Sequence, residues 1–181
     1  IEDLEQYINE QDAVLEPLKY FVLPGGTKAA SFLHLCRTKT RLDEILDVYN
    51  GTINVTLKDD LSPLTDADRR SNKVITDKLS LLYPDIPILS EEGEKIDYSD
   101  RKGWNLFWLI DPLDGTKEFI KRNGEFTVNI ALIDEGQPIA GVVYAPTKDT
   151  LWYGAREVGS FKINSDSAPE KISVINNSHN P

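Results

Sequence analysis

The chain has 181 residues, with 20 Lys and Arg against 30 Asp and Glu, and a formal net charge of −10 at pH 7. That balance argues against a nucleic-acid surface and against an anionic membrane. It leaves a phosphorylated substrate open, because a bound divalent cation inverts the local field. Hydrophobic content of 40% and charged content of 28% describe an ordinary globular chain, long enough for one domain with a core or one and a half smaller units. Cys36 is the single cysteine, which excludes an intrachain disulfide and fits a reducing compartment. No apolar run reaches about 18 residues and no signal-peptide core appears, so a cytoplasmic location is expected. The chain opens on Ile1 rather than Met, which leaves room for a longer natural N-terminus.

From the start, Ile1, Leu4, Ile8 and Leu15 recur at helical spacing, and Glu16-Pro17 interrupts the pattern. Residues 18–27 form a connector, with Pro24-Gly25-Gly26 as breakers and Thr27 as a candidate N-cap. One long amphipathic helix is predicted from there to Tyr49, with His34 on a helix face or in the core, and Asn50-Gly51 as its stop. Ile53, Val55 and Leu57 alternate as in a strand. Thr65, with Asp68 three residues on, is a capping pattern that opens a helix to about Leu82. Ile86 to Leu89 is a short apolar strand running into Ser90-Glu91-Glu92, and residues 93–105 read as a loop.

The most informative stretch is Trp108-Leu-Ile-Asp-Pro-Leu-Asp-Gly-Thr-Lys-Glu-Phe119. The apolar run Leu106 to Ile110 reads as a buried strand that feeds into Asp111 and Asp114. Pro112 restricts Asp111 to an extended conformation, and Gly115 lets the backbone approach whatever sits in front of it. Thr116 is a candidate cap for a short helix over Lys117 to Lys121, whose first amides favour an anion. Beyond it, Phe126, Val128, Ile130 and Leu132 alternate, and turns at residues 134–137 and 146–149 make an antiparallel meander with strands over 139–144, 150–154 and 160–163. Residues 164–181 are polar and carry no predicted element.

Asp66, Glu91 with Glu92, and Asp111 with Asp114 all fall where one element meets another, so they can converge without burying charge mid-core. Two acids, the Leu113 carbonyl and a helix start suit a hard cation and a phosphate. The same residues also suit a plain Asx turn on a generally acidic surface, and spacing alone leaves both readings open.

The Trp108 to Phe119 run resembles the metal-binding signature of the inositol monophosphatase superfamily of Mg²⁺-dependent phosphatases. Its Lys117-Glu118-Phe119 ending resembles the 3′(2′),5′-bisphosphate nucleotidase (CysQ-type) branch, and the likeness runs on from about residue 43. It implies an α+β fold with helices packed on a large antiparallel sheet, and hydrolysis of 3′-phosphoadenosine 5′-phosphate to AMP and phosphate, in sulfur assimilation. Inositol monophosphate is the competing substrate. It further implies two or three Mg²⁺ ions, inhibition by Li⁺, and in-line attack of water with no phospho-enzyme. Matched by position, Glu91, Asp111, the Leu113 carbonyl and Asp114 are the metal ligands. Thr116 paired with Asp66 orients and deprotonates the water, Glu91 assists, and Asp114 with the Gly115 and Thr116 amides holds the substrate. Glu92 and Lys58 are weaker candidates for the site and read at least as well as solvated or structural charges, and Lys117 has no assigned role.

Two departures shape the expected domain plan. The family's second half carries a Trp-Asp-x-x-Ala metal ligand, whereas Trp152 is followed by Tyr153. The C-terminal α/β domain is therefore expected to be missing, which implies weak or absent activity and an uncovered apolar face through which copies could self-associate. Leu15-x-Pro-Leu-x-x-Phe-Val-Leu-Pro-Gly-Gly-Thr-x-Ala-Ala-x-x-Leu-His-Leu-x-Arg-Thr38 instead resembles PduO-type cob(I)alamin adenosyltransferases. Arg37 and Arg41 match that family's basic ATP cluster, but Leu42 replaces the next arginine and the Gly-rich ATP loop is absent. Residues 1–41 are accordingly expected to be a fused helical hairpin without that activity, and residues 42–181 the phosphatase-like domain. The small phosphorylated nucleotide is the expected partner, with no nucleic acid and no membrane.

Overall fold

The computed structural model describes residues 45–58, 63–165 and 167–174. The predicted hairpin of residues 1–41, with Cys36, Arg37 and Arg41, lies outside the described residues. Residues 45–50 are helical, and the Gly51 amide donates to the Asp47 carbonyl at 3.1 Å, so the helix ends where Asn50-Gly51 was expected to stop it.

Strands β1 (Val55–Leu57) and β2 (Pro63–Thr65) pair antiparallel as a separate two-stranded ribbon. The alternation read as a strand is borne out by β1, yet Val55 and Leu57 are 46% and 65% exposed. A two-stranded ribbon offers no second layer to bury them against. Helix α1 (Asp66–Leu82) starts on the capping box read from the sequence: Thr65 Oγ1 accepts from the Ala67 amide, and the Thr65 amide donates to Asp68 Oδ2 at 2.7 Å.

The main sheet has seven strands in chain order: β3 (Ile88–Ser90), β4 (Leu106–Asp114), β5 (Thr127–Asp134), β6 (Gln137–Ala145), β7 (Thr150–Ala155), β8 (Gly159–Asn164) and β9 (Glu170–Ile172). The chain is α+β as expected, but the sheet is mixed, because β3 and β4 run parallel while every other pair is antiparallel. The parallel pair is permitted by the intervening crossover through residues 91–105, which carries helix α2 (Tyr98–Arg101) inside the predicted loop. Edge strand β9 falls in the polar tail that carried no predicted element. The β5–β6 hairpin turns on Glu135 and Gly136, both at positive φ.

Register puts alternate residues on opposite faces. Val128, Ile130, Leu132, Tyr144, Leu151 and Ile163 are buried in the core, and α1 packs on β4. The other face carries the row Asp111, Asn129, Val143, Trp152, Lys162, matched strand by strand. It borders an open, largely apolar hollow of about 730 Å³ along Leu89, Leu109, Ala131, Val143 and Trp152. Leu109 and Val143 are 43% and 39% exposed there. Among the described residues no helix is long and apolar enough to cross a membrane.

Candidate active site

β4 does not stop at Ile110 but runs through the whole Asp-Pro-Leu-Asp segment, with its pairing to β5 shifting between Asp111 and Asp114. The irregularity absorbs Pro112, which has no amide to give to the ladder. Pro112 is buried and its carbonyl accepts from Ser71 Oγ of α1 at 2.7 Å. Asp111 closes an Asx turn, with Oδ1 accepting from the Leu113 amide at 3.2 Å. The local turn and the wider convergence therefore coexist.

Gly115 sits at φ 93°, in the left-handed region, and precedes helix α3 (Thr116–Lys121) as its N-cap. A Cβ at this position would stand 2.9 Å from the Glu125 carbonyl oxygen, so the turn requires glycine. Thr116 was expected to cap the helix over Lys117 to Lys121; it is instead the first helical residue, and α3 has no side-chain cap. Behind the turn, Phe119 is fully buried and packs edge-on to Phe126 at 5.0 Å, with Tyr49 5.2 and 5.1 Å from the two rings. Burial of this kind contributes about 1.5–3 kcal/mol per aromatic side chain, which anchors the Phe that ends the motif.

The carboxylates gather where β3 ends alongside β4. The Glu91 amide donates to the Ile110 carbonyl at 3.0 Å, which brings Glu91 level with Asp111. Asn72 of α1 fixes that corner, donating to the Glu92 carbonyl at 3.2 Å and accepting from Ser90 Oγ at 2.7 Å. Burial, then the charges of Glu91 and Asp114, push the Asp111 carboxyl up to about 7, with the Leu113 amide opposing and a hydrogen bond to Glu91 adding to the rise. Asp111 therefore feels both neighbouring acids. Asp114 is exposed and accepts from Asn129 Nδ2 at 3.2 Å, while Asn129 Oδ1 is buried without a partner.

Lys58, a weaker candidate from the sequence, enters the same cluster. Its Nζ lies 2.9 Å from Glu91 Oε1 and 2.5 Å from Glu92 Oε1. Burial alone would lower the lysine, but the hydrogen bonds to Glu92 and Glu91 outweigh it and hold the ammonium well above its ordinary range. Glu92 is raised by burial, with Lys58 opposing.

The predicted pairing of Thr116 with Asp66 is not what the fold makes. Thr116 Oγ1 donates to Asp68 Oδ1 at 3.1 Å and also lies 3.3 Å from the Leu113 carbonyl. Asp66 instead accepts from Asn54 Nδ2 at 3.0 Å and stands 3.8 Å from Arg69. The reason is helical phase: from the cap at Thr65, Asp68 turns inward and is 1% exposed, while Asp66 faces the β1 side. Asp68 carries one sequence signal, its place in the capping box, but that local role conceals a partner 48 residues away.

The donor set suits a hard divalent cation, since it offers carboxylate and carbonyl oxygens, a buried orphan amide oxygen and like charges held close around Asp111. It is not closed in advance: among the described residues no three His, Cys, Asp or Glu side chains are grouped tightly enough to hold a metal ion.

Comparison with known proteins agrees with this geometry. The inositol monophosphatase family model matches residues 34–180, and the cobalamin adenosyltransferase model matches residues 1–50. The 3′(2′),5′-bisphosphate nucleotidase CysQ of Shigella flexneri is 56% identical over 122 residues, 66% of this chain and 49% of that protein. The crystal structure of CysQ from Bacteroides thetaiotaomicron, a bacterial member of the inositol monophosphatase family, superposes with a TM-score of 0.63 at 40% identity, covering 80% of this chain and 53% of that one. An IMPase/NADP phosphatase complexed with Mg²⁺ and phosphate shares the fold, with a TM-score of 0.64 at 21% identity over 74% of this chain and 51% of that one. The chain spans about half the length of the relatives it matches. With a family model covering the carboxylate corner, the Gly115 turn and the whole sheet, the chain belongs to the inositol monophosphatase family.

Proposed function

We propose that residues 42–181 supply the carboxylate side of a divalent-cation-dependent phosphomonoesterase whose substrate is 3′-phosphoadenosine 5′-phosphate, released as AMP and phosphate. The observation that carries this reading is the convergence of Glu91 and Asp114 on a half-buried Asp111 at one strand corner, beside a threonine hydroxyl held by a buried aspartate. Lys58 covers the Glu91–Glu92 pair, and the like charges still held together around Asp111 are what a divalent cation would stabilise further. Glu91, Asp111, Asp114 and the Leu113 carbonyl would hold two or three Mg²⁺ ions, with Li⁺ as an inhibitor. Bound there, the ions would neutralise the carboxylates, polarise a phosphate ester and make water acidic at neutral pH.

This chain's own residues do the rest. Asp68 orients the Thr116 hydroxyl, and through it a water. Glu91 is placed to take up a proton. Asp114 and the amides of Gly115 and Thr116 receive the substrate at the head of α3. The nucleotide preference rests on the CysQ relatives and on the Lys117-Glu118-Phe119 ending. The same reading keeps residues 1–41 as a separate adenosyltransferase-like hairpin and a cytoplasmic location. It also keeps self-association through the open Leu109–Val143–Trp152 face, which sedimentation equilibrium checks; a monomer across the micromolar range would dismiss it.

A second reading follows from the unclosed donor set: the chain binds the cation without turning over. Phosphate release from 3′-phosphoadenosine 5′-phosphate, with inositol 1-phosphate alongside and Mg²⁺ varied, separates the possibilities. Mg²⁺-dependent release favouring the nucleotide supports the proposal, and release favouring inositol 1-phosphate reassigns the substrate. No release from either, with Mg²⁺ bound in calorimetry, leaves the binding reading.

A further inference from the structure

The Lys58 ammonium bridges two glutamates that differ in exposure: the Glu92 side chain is 8% exposed, Glu91 53%, and Lys58 itself 22%. Glu92 is the fixed partner, since its own carbonyl is held by Asn72 and its carboxylate has little access to water. Glu91 is the releasable one, more exposed and held level with Asp111 just past the end of β3. Lys58 lies just beyond β1, in the ribbon rather than in the main sheet, and Glu91 and Glu92 are its ion-pair partners there.

We propose that Lys58 is a built-in competitor of the divalent cation for Glu91: its ammonium neutralises the Glu91–Glu92 pair in the cation-free protein and withdraws onto Glu92 when a cation takes Glu91. The inference rests on the metal-site reading above. The physical basis is charge arithmetic. A lysine ammonium is a compact monovalent charge on a flexible stem, so it can cover a carboxylate and leave it. A divalent ion entering Glu91 meets a positive charge a few ångströms away, and that repulsion subtracts from its affinity. Retaining Glu92 as the lysine's partner keeps the ammonium nearby, so that loss of the cation is followed by recapture of Glu91 rather than by bare repulsion against Asp111. Lys58 is thus a positioning residue that sets the cation concentration at which the site fills.

The test is calorimetric titration of the full chain with MgCl₂, comparing wild type, Lys58→Met and Lys58→Arg, with circular dichroism to confirm folding. Lys58→Met removes the competing charge and keeps the stem, and is expected to tighten Mg²⁺ binding on the order of tenfold. Lys58→Arg keeps the charge and is expected to stay within about threefold of wild type. Unchanged or weaker binding by Lys58→Met, with wild type binding normally, overturns the inference and leaves the metal-site reading standing. Binding by neither wild type nor Lys58→Met overturns both. If Lys58→Met does not fold, Lys58→Gln takes its place with the same expected tightening, and the same failure to tighten overturns the inference.

Discussion

Asp111→Asn is expected to abolish Mg²⁺-dependent phosphate release while making the cation-free protein more heat-stable at neutral pH and above. The two effects have one origin. In the cation-free protein the Asp111 carboxyl is pushed up to about 7 from 3.8, first by burial and then by Glu91 and Asp114. The folded state therefore binds this proton more tightly than the unfolded chain does. Its favourable contribution is complete below about pH 3.8 and is lost as pH rises from there to about 7. Above that range the ionised carboxylate is a standing repulsion that the neutral amide of asparagine lacks. The cation needs that carboxylate ionised, so Mg²⁺ affinity should fall as pH drops through about 7, with protons released on binding. For turnover, losing a ligand that would hold the ions forfeits several kcal/mol of charge stabilisation, roughly a thousandfold in rate. Thermal melts at pH 5 and pH 8 with and without Mg²⁺, beside phosphate release, check both arms. A variant that melts lower than wild type at pH 8 without Mg²⁺ would show that the three carboxylates do not oppose one another.

The contrast between Asp111 and its neighbours shows which parts of this site were legible in the sequence. The Asp-x-x-Asp-Gly-Thr run, the strand before it and the glycine turn are consecutive, so local rules and the family likeness located them together. Asp68 and Lys58 act through contacts 48 and 33 residues distant along the chain, and nothing local distinguishes them from a cap and a surface charge. The Thr65–Asp68 capping box was correctly read as a helix start, but a carboxylate has two oxygens: Oδ2 caps Thr65 and Oδ1 is left for Thr116. Asn129 was hidden by alternation itself, which marks it as the polar partner of Val128 and Ile130 without saying that its neighbour across the ladder is Asp111. In the fold, the meander from Phe126 onward was legible because its turns carry their own chemistry, as at Glu135-Gly136. Two elements escaped notice. Helix α2 is four residues without a side-chain cap, and β9 is an edge strand whose pairing with β8 is supplied by the sheet rather than by its own three residues. β4 was placed correctly but ended too early, because a proline inside a strand is tolerated only where the ladder shifts, and that shift is a property of β5 as much as of Pro112.

The correction from Asp66 to Asp68 gives the other large expected effect. Asp68→Asn should lower turnover at least roughly a hundredfold, the lower range for a positioned proton-transfer group, whereas Asp66→Asn should stay within a few-fold of wild type. Asp68 is buried and accepts from Thr116 Oγ1, Thr65 Oγ1 and the Thr65 amide. With three donors converging on it, an amide in its place turns one acceptor into a donor and cannot serve them all. The cost in stability is about 1–3 kcal/mol for the group left unsatisfied, and part of any loss in activity could come from that alone. Thr116 separates the two causes. Thr116→Val removes the hydroxyl at nearly constant volume and leaves the α1 cap intact, so it should lose activity on the same scale without the loss in stability. Thr116→Ser keeps the hydroxyl and should recover most of the rate. Phosphate release at saturating Mg²⁺, read against melts of each variant, decides among them. If Asp66→Asn loses the activity while Asp68→Asn retains it, the hydrogen bond from Thr116 to Asp68 is architecture, and the proton is handled on the other side of the helix start.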